Sequence, residues 1–132
     1  ELCRLHHVGL RQLLDDLGDT AFMKAESDLF CDLDLDGKVV APGGSIIYSE
    51  AAMAHARGAG AHIIYLKNNL ENILRAVKNI DERGIVGLGT QRIEALYAQR
   101  VPLYEKYATL SLPCQASRYH QVCDAIREEL GL

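Results

Sequence analysis

No apolar run in this 132-residue sequence approaches the ~20 residues needed to cross a bilayer, so a helical membrane span is not expected. No signal-peptide pattern opens the chain either. It has no initiator methionine and begins at Glu1, so a missing natural start is expected. Positive charge is not in excess: the formal net charge is −4, which argues against non-specific nucleic-acid binding as the main activity. The four cysteines (Cys3, Cys31, Cys114 and Cys123) form no Cys-x-x-Cys pair. Their scatter suits buried small apolar residues in a reducing cytosol better than disulfides or zinc ligands, so no metal site is expected and a cytoplasmic location is.

What remains is an ordinary globular composition, 48% hydrophobic and 24% charged, in a chain long enough for one domain over residues 1–132. Leu10, Leu13, Leu14 and Leu17 recur at helical spacing, and Gly18 ends that helix. Asp19 is then a good N-cap for a second helix to about Leu33, with Phe22, Ala25, Leu29, Phe30 and Leu33 as its apolar stripe. Glu26 lies one turn after Phe22 at the stripe's border. Most such glutamates reach water, but a carboxylate at the margin of a core can also hold a partner arginine. Asp32-Leu-Asp34-Leu-Asp36-Gly37 imitates the start of a calcium loop, but its twelfth position is Gly43 rather than a bidentate glutamate. It reads as an acidic turn.

Val39 to Tyr48 predicts a short buried strand that stops at Pro42 and opens into the glycine loop Gly43-Gly44-Ser45. In an open α/β sheet small ligands bind where strands end and loops lead into helices, and paired glycines let the backbone approach a ligand. Taken alone, the stretch is equally a plain strand-to-helix turn. Ser49 to Arg57 is amphipathic and closes at Gly58 and Gly60. His62 to Leu66 is a continuous apolar run of strand length, and Asn68-x-x-Glu71 resembles a capping box before a helix. This alternation of strand and helix predicts a parallel sheet with helices on both faces.

Residues 80–90 form a glycine-hinged loop carrying Arg83, a pattern that serves either as an exposed connection or as a lid over a reacting phosphate. Thr90 can cap the next helix, whose stripe runs Ile93, Leu96, Tyr97 and then Arg100. An arginine on such a face must pair or point into a polar pocket, since a buried unpaired charge costs several kcal/mol. Pro102 is expected to bend or restart that helix. Thr109 to Leu112 predicts a last strand. Ser117 can cap a last helix with Tyr119, Val122, Cys123, Ile126 and Leu130 inward and Gly131 at its end.

This order of elements, with Gly43-Gly44-Ser45, Arg83 in a lid and Arg100-Val-Pro-Leu-Tyr-Glu-Lys-Tyr-Ala108, resembles the shikimate kinase family. Phe22 to Glu26 is similar to the family's Phe-Arg-x-x-Glu segment, and the likeness runs from Glu1 to the C-terminus. It implies a small α/β kinase of the P-loop type, a three-layer parallel sheet with helices on both faces, which transfers the γ-phosphoryl of ATP to the 3-hydroxyl of shikimate with Mg2+. Gly43, Gly44 and Arg100 would bind the acceptor, the arginine gripping its carboxylate. Arg83 would act catalytically on the transferring phosphoryl, and Arg118 would lie beside the adenine. The partners implied are shikimate and ATP, with no nucleic acid and no membrane.

Three departures from the family pattern stand in the sequence. Two glycines and Ser45 follow Pro42 where the family has three glycines. Met23 stands where a second carboxylate-gripping arginine would be, and Lys24 beside it projects about 100° away around a helix. No Gly-x-x-x-x-Gly-Lys-Ser/Thr occurs in the chain, so the first strand and P-loop are expected to be missing, a piece of roughly 35 residues by element lengths. Losing a central strand would leave a gap of ~10 Å in the sheet and backbone groups in need of partners. The chain alone is then expected to be inactive, and monomeric unless truncation forces pairing. A non-catalytic binding relative, or a kinase of another small hydroxy acid, are the alternatives.

Overall fold

A computed structural model describes residues 9–76, 85–87, 92–114 and 119–132. Helix α1 spans Leu10–Cys31 and is broken at Gly18, whose φ of 72° and ψ of 163° are not helical. The glycine expected to separate two helices therefore does so as a sharp internal break. Beyond it Phe22 and Phe30 are buried on one side of the helix.

The acidic segment after α1 folds as a turn. The Asp36 N–H donates to Asp34 Oδ1 at 3.1 Å, and Lys38 Nζ donates to Asp34 Oδ2 at 2.8 Å and to the Asp34 carbonyl at 2.7 Å. The hydrogen bond from Lys38, then that from the Asp36 N–H, then the lysine charge hold the Asp34 carboxyl below its ordinary value.

The strand expected at 39–41 does not form: Val39 is fully exposed and Val40 is also at the surface. A strand requires a neighbour to take its backbone hydrogen bonds, and no described strand lies beside this segment. The glycine stretch instead becomes a tight 3-10 turn, Gly44–Tyr48, which buries Ser45, Ile46 and Ile47.

Helix α2 follows at Glu50–Gly58, capped by Ser49, whose Oγ accepts from the Ala52 N–H at 3.0 Å. A hydrogen bond of 2.6 Å between Ser27 Oγ and Ser49 Oγ ties this cap to α1. His55 Nε2 bonds the Leu33 carbonyl at 2.8 Å, which fastens the other end of α2 to the same region.

Strand β1, Ile64–Lys67, pairs in parallel with β2, Leu110–Pro113, in the register Ile64 to Leu110. Thr109 Oγ1 extends the pairing by bonding both the N–H and the carbonyl of Ile63. Among the described residues the sheet has these two strands, so the parallel pairing is present and the three-layer sheet of the expectation is not.

Helix α3, Leu70–Ala76, is capped one residue later than the sequence suggested: Asn69 Oδ1, not Asn68, accepts from the Asn72 N–H at 2.8 Å. Asn68 is turned inward, its Oδ1 buried without a partner among the described residues while its backbone carbonyl accepts from Tyr97 Oη at 3.1 Å. Glu71 pairs with Arg75 one turn on instead of closing a capping box.

Helix α4, Ile93–Tyr107, carries Pro102 inside it without restarting, and its N-cap position is Arg92, with no side-chain cap. Thr90 and Ser117, the other expected caps, lie outside the described residues. Helix α5, Tyr119–Leu130, ends at Gly131 with φ of 69°. Val122 is its buried anchor, but Cys123 is exposed, and Cys31 and Cys114 are only partly buried. All three are free thiols, so the reading of the cysteines as fully buried residues does not hold for the described ones.

The core has two parts. The larger joins Phe30, Ile46, Ile47, Ala52, Met53, Ala56 and Tyr107, and draws α1, the glycine turn, α2 and α4 together. Each large aliphatic side chain buried this way contributes about 1.5–3 kcal/mol relative to exposure. The smaller joins Leu13, Leu14, Phe22 and Val86, with Met23 packed against it.

Candidate functional site

The glycine turn is shaped by what presses on it from two helices. Gly43 has an ordinary extended backbone, φ −62° and ψ 152°, so a positive φ is not why glycine stands there. Space is the reason: a Cβ at position 43 would meet Glu26 Oε1 of α1 at 2.5 Å. At position 44 it would meet Tyr104 Oη at 2.8 Å and Arg100 Nη1 at 3.4 Å, both from α4. Paired glycines let a carboxylate and a guanidinium approach the same turn.

Glu26 is half-buried and accepts a hydrogen bond of 2.6 Å from the buried Ser45 hydroxyl. The residue standing in place of a third glycine thus supplies a donor to this carboxylate. Met23, in place of the second arginine, packs into the smaller apolar cluster. Lys24 is exposed and pairs with Asp28 at 2.6 Å.

Arg100 is held by uncharged groups. Its Nε donates to Tyr48 Oη at 3.2 Å and its Nη2 donates to the Val86 carbonyl at 2.9 Å. The guanidinium also lies over the Tyr48 ring, 5.4 Å from its centroid. Among the described residues no carboxylate pairs with it. A half-buried cation whose partners are a phenol and a carbonyl keeps its full charge available to an incoming anion.

Tyr104, one helical turn after Arg100, donates from Oη to the Gly44 carbonyl at 2.9 Å. Its ring stacks on Tyr65 of β1, with centroids 5.0 Å apart and planes at 29°. Burial raises the Tyr104 phenol, while the nearby Arg100 charge pulls it down; the phenol stays above its ordinary value. Burial also raises Tyr65, helped by the neighbouring Tyr97 and Tyr104 phenols and the Glu105 carboxylate.

Two clefts flank this stacked pair. One, of about 280 Å³, is lined by Pro42, Gly43, Gly44, Phe30, Ile63 and Tyr65. The other, of about 340 Å³, is lined by Asn68, Leu96, Tyr97, Arg100 and Val101, with Tyr65 and Tyr104 as the shared wall. Both are near the small end of the range for small-molecule pockets.

Of the residues singled out from sequence, Gly43, Gly44 and Arg100 come together at this turn. Arg83 and Arg118 lie outside the described residues, as does all of the glycine-hinged loop except residues 85–87. Of these three, Val86 is buried against Leu13, Leu14 and Phe22, and the Gly87 N–H donates to Asp19 Oδ2 at 2.9 Å. Asp19, expected as a helix cap, is found in this tertiary contact within the broken helix α1.

Ser45, Tyr48 and Tyr104 were not singled out as site residues. Tyr104 had a readable signal, because four positions after Arg100 it shares that residue's helix face. A family model described as shikimate kinase matches residues 3–131. Comparisons with curated proteins and with solved structures return no match.

Proposed function

The chain belongs to the shikimate kinase family, and on that premise we propose that its glycine turn and Arg100 form the acceptor side of a shikimate-kinase-type phosphotransferase. The observation that carries the reading is Arg100, a half-buried guanidinium beside paired glycines with only neutral partners. The acceptor carboxylate docks on Arg100 and displaces the Val86 carbonyl, since an anion offers the guanidinium a stronger, bidentate partner than a neutral oxygen. Glu26, fixed by Ser45, accepts from a hydroxyl of the acceptor. The N–H groups of the glycine turn orient the rest of the ring.

The family implies MgATP as phosphoryl donor. Arg83 would stabilise charge on the transferring group and Arg118 would lie beside the adenine. The described residues supply no phosphate cradle: the sequence has no Gly-x-x-x-x-Gly-Lys-Ser/Thr, and among them no group of His, Cys, Asp or Glu is placed to hold a cation. No step through nucleotide or Mg2+ is therefore derived from them.

Met23, standing where a second carboxylate-gripping arginine would be, favours a second reading, a non-catalytic relative that binds a small hydroxy acid. A coupled assay of acceptor-dependent ADP release, run with shikimate and a panel of cyclic hydroxy acids, separates the readings. Shikimate turnover supports the kinase. Turnover of another acceptor alone replaces shikimate as substrate, and acceptor binding with no turnover and no MgATP binding favours the second reading.

A further inference from the structure

The glycine turn and Arg100 belong to different elements, and the Tyr104 hydroxyl, from the helix that carries Arg100, reaches the turn beside that guanidinium. We infer that Tyr104 is a positioning residue of the acceptor site, locking the Gly44 peptide and the Arg100 guanidinium into one arrangement; this rests on the acceptor-site reading above.

Tyr104 Oη has two neighbours in the site. It donates to the Gly44 carbonyl at 2.9 Å, and Arg100 Nη1 comes up to the same glycine beside it, both within reach of a Cβ built at position 44. The peptide unit is planar, so holding the Gly44 carbonyl fixes the direction of the Ser45 N–H on the far side of the same plane. Ser45 in turn holds Glu26 through its side chain. One phenol thus sets the turn between the cation and the carboxylate that would meet the acceptor.

The ring itself cannot drift. It stacks on Tyr65 at 5.0 Å, and Tyr65 sits in β1, whose pairing with β2 runs over Ile64 to Lys67. Strand, stacked ring, hydroxyl and turn form a continuous path from the sheet to the site. Burial and neighbours keep the phenol protonated and therefore a donor at neutral pH. Binding groups must be held within about 0.5 Å of the productive geometry, and a loop achieves that only when supporting contacts fix it.

The test compares Tyr104→Phe, which removes the hydroxyl and keeps the stack, with the unaltered chain. Three quantities are measured: shikimate affinity by calorimetry, thermal stability, and the NMR signals of the Gly44 carbonyl carbon and the Arg100 Nε–H. The expected result is about tenfold weaker shikimate binding, from loss of one hydrogen bond that preorganises the site. A small change in Tm and displaced Gly44 and Arg100 signals in the ligand-free variant are expected alongside it.

Unchanged affinity in Tyr104→Phe overturns the inference. So does an affinity loss that accompanies global destabilisation while the Gly44 and Arg100 signals stay in place. Should the variant fail to fold, alkaline titration of the unaltered chain takes its place. The Gly44 carbonyl and Arg100 signals must then move with the midpoint of the Tyr104 ring carbon, and independent movement refutes the coupling. If the unaltered chain does not bind shikimate, the acceptor-site reading fails and the positioning role with it. Displaced signals in the ligand-free variant would then record the Tyr104 contact separately from any acceptor.

Discussion

Replacing Gly43 by alanine puts a methyl group where Glu26 Oε1 already lies, 2.5 Å from the new carbon. An ordinary carbon–oxygen contact needs about 3.3 Å, so the carboxylate must retreat by about 0.8 Å. It is not free to do so, because its other oxygen accepts the 2.6 Å hydrogen bond from buried Ser45. A hydrogen bond to a charged group contributes about 1.5–3 kcal/mol, and losing it leaves the serine hydroxyl buried without its acceptor.

Against this cost stands a gain. The Gly43 backbone suits alanine, and such a substitution stabilises by about 0.4–1 kcal/mol through the unfolded chain. The net expectation is a loss of about 1–2 kcal/mol, or several degrees in Tm for a chain of this size.

The same substitution made in a Glu26→Ala background meets no carboxylate, so there it should stabilise by about 0.4–1 kcal/mol. The sign of the effect therefore reverses between the two backgrounds, with a coupling of about 2 kcal/mol. Urea denaturation followed by circular dichroism measures all four members of the cycle, provided the m-values agree. If Gly43→Ala costs as much without Glu26 as with it, the close approach of Glu26 is not the reason glycine stands at position 43.

Two further expectations concern parts of the chain outside the turn. Asn69→Ala removes the cap of α3 and should cost about 1 kcal/mol, whereas Asn68→Ala removes a buried oxygen with no partner among the described residues and should cost less; the reverse order in urea denaturation would restore Asn68 as the cap. The Tyr65 phenol is raised in the folded chain by burial and by the neighbouring phenols and Glu105, so its neutral form contributes stability fully present below the unfolded phenol value of about 10 and lost as pH rises through the folded one. Thermal melts between pH 9 and 11 should fall less steeply for Tyr65→Phe than for the unaltered chain, and parallel falls would contradict the shift.

Helical periodicity carried well from sequence to structure. Leu13 and Leu14 before Gly18 (though not Leu17, which is exposed), the stripe through Phe22 and Phe30, and the face through Leu96 and Arg100 each depend on residues close together in the chain. The parallel sense of the sheet was also legible, because the strand-like runs alternate with helices; which run pairs with which was not. Val39 to Ala41 had the same local character and formed no strand. Strand formation belongs to two segments at once, and one run of residues does not say whether its neighbour is there.

The site was half legible for a related reason. Glycine pairs and a cation on an apolar face are visible as residue types. The hydroxyl of Tyr104, however, reads as one more ring on a core stripe until its partner, the Gly44 carbonyl 60 positions earlier in the chain, is known. Ser45 read as a departure from a glycine pattern, and only its contact with Glu26 shows what the hydroxyl does. The shift of the α3 cap by one residue has a local cause: Asn68 and Asn69 are both good caps, and burial of the first decides between them.

The central claim is that Arg100 and the glycine turn hold an acidic acceptor, and calorimetric titration of shikimate into the chain and into Arg100→Ala tests it most directly. The account predicts saturable binding by the unaltered chain. In the variant, binding should weaken by about 10- to 100-fold, the equivalent of one charge-assisted hydrogen-bonded contact of about 1.5–3 kcal/mol. Equal affinity in the two chains, with both folded, would contradict it.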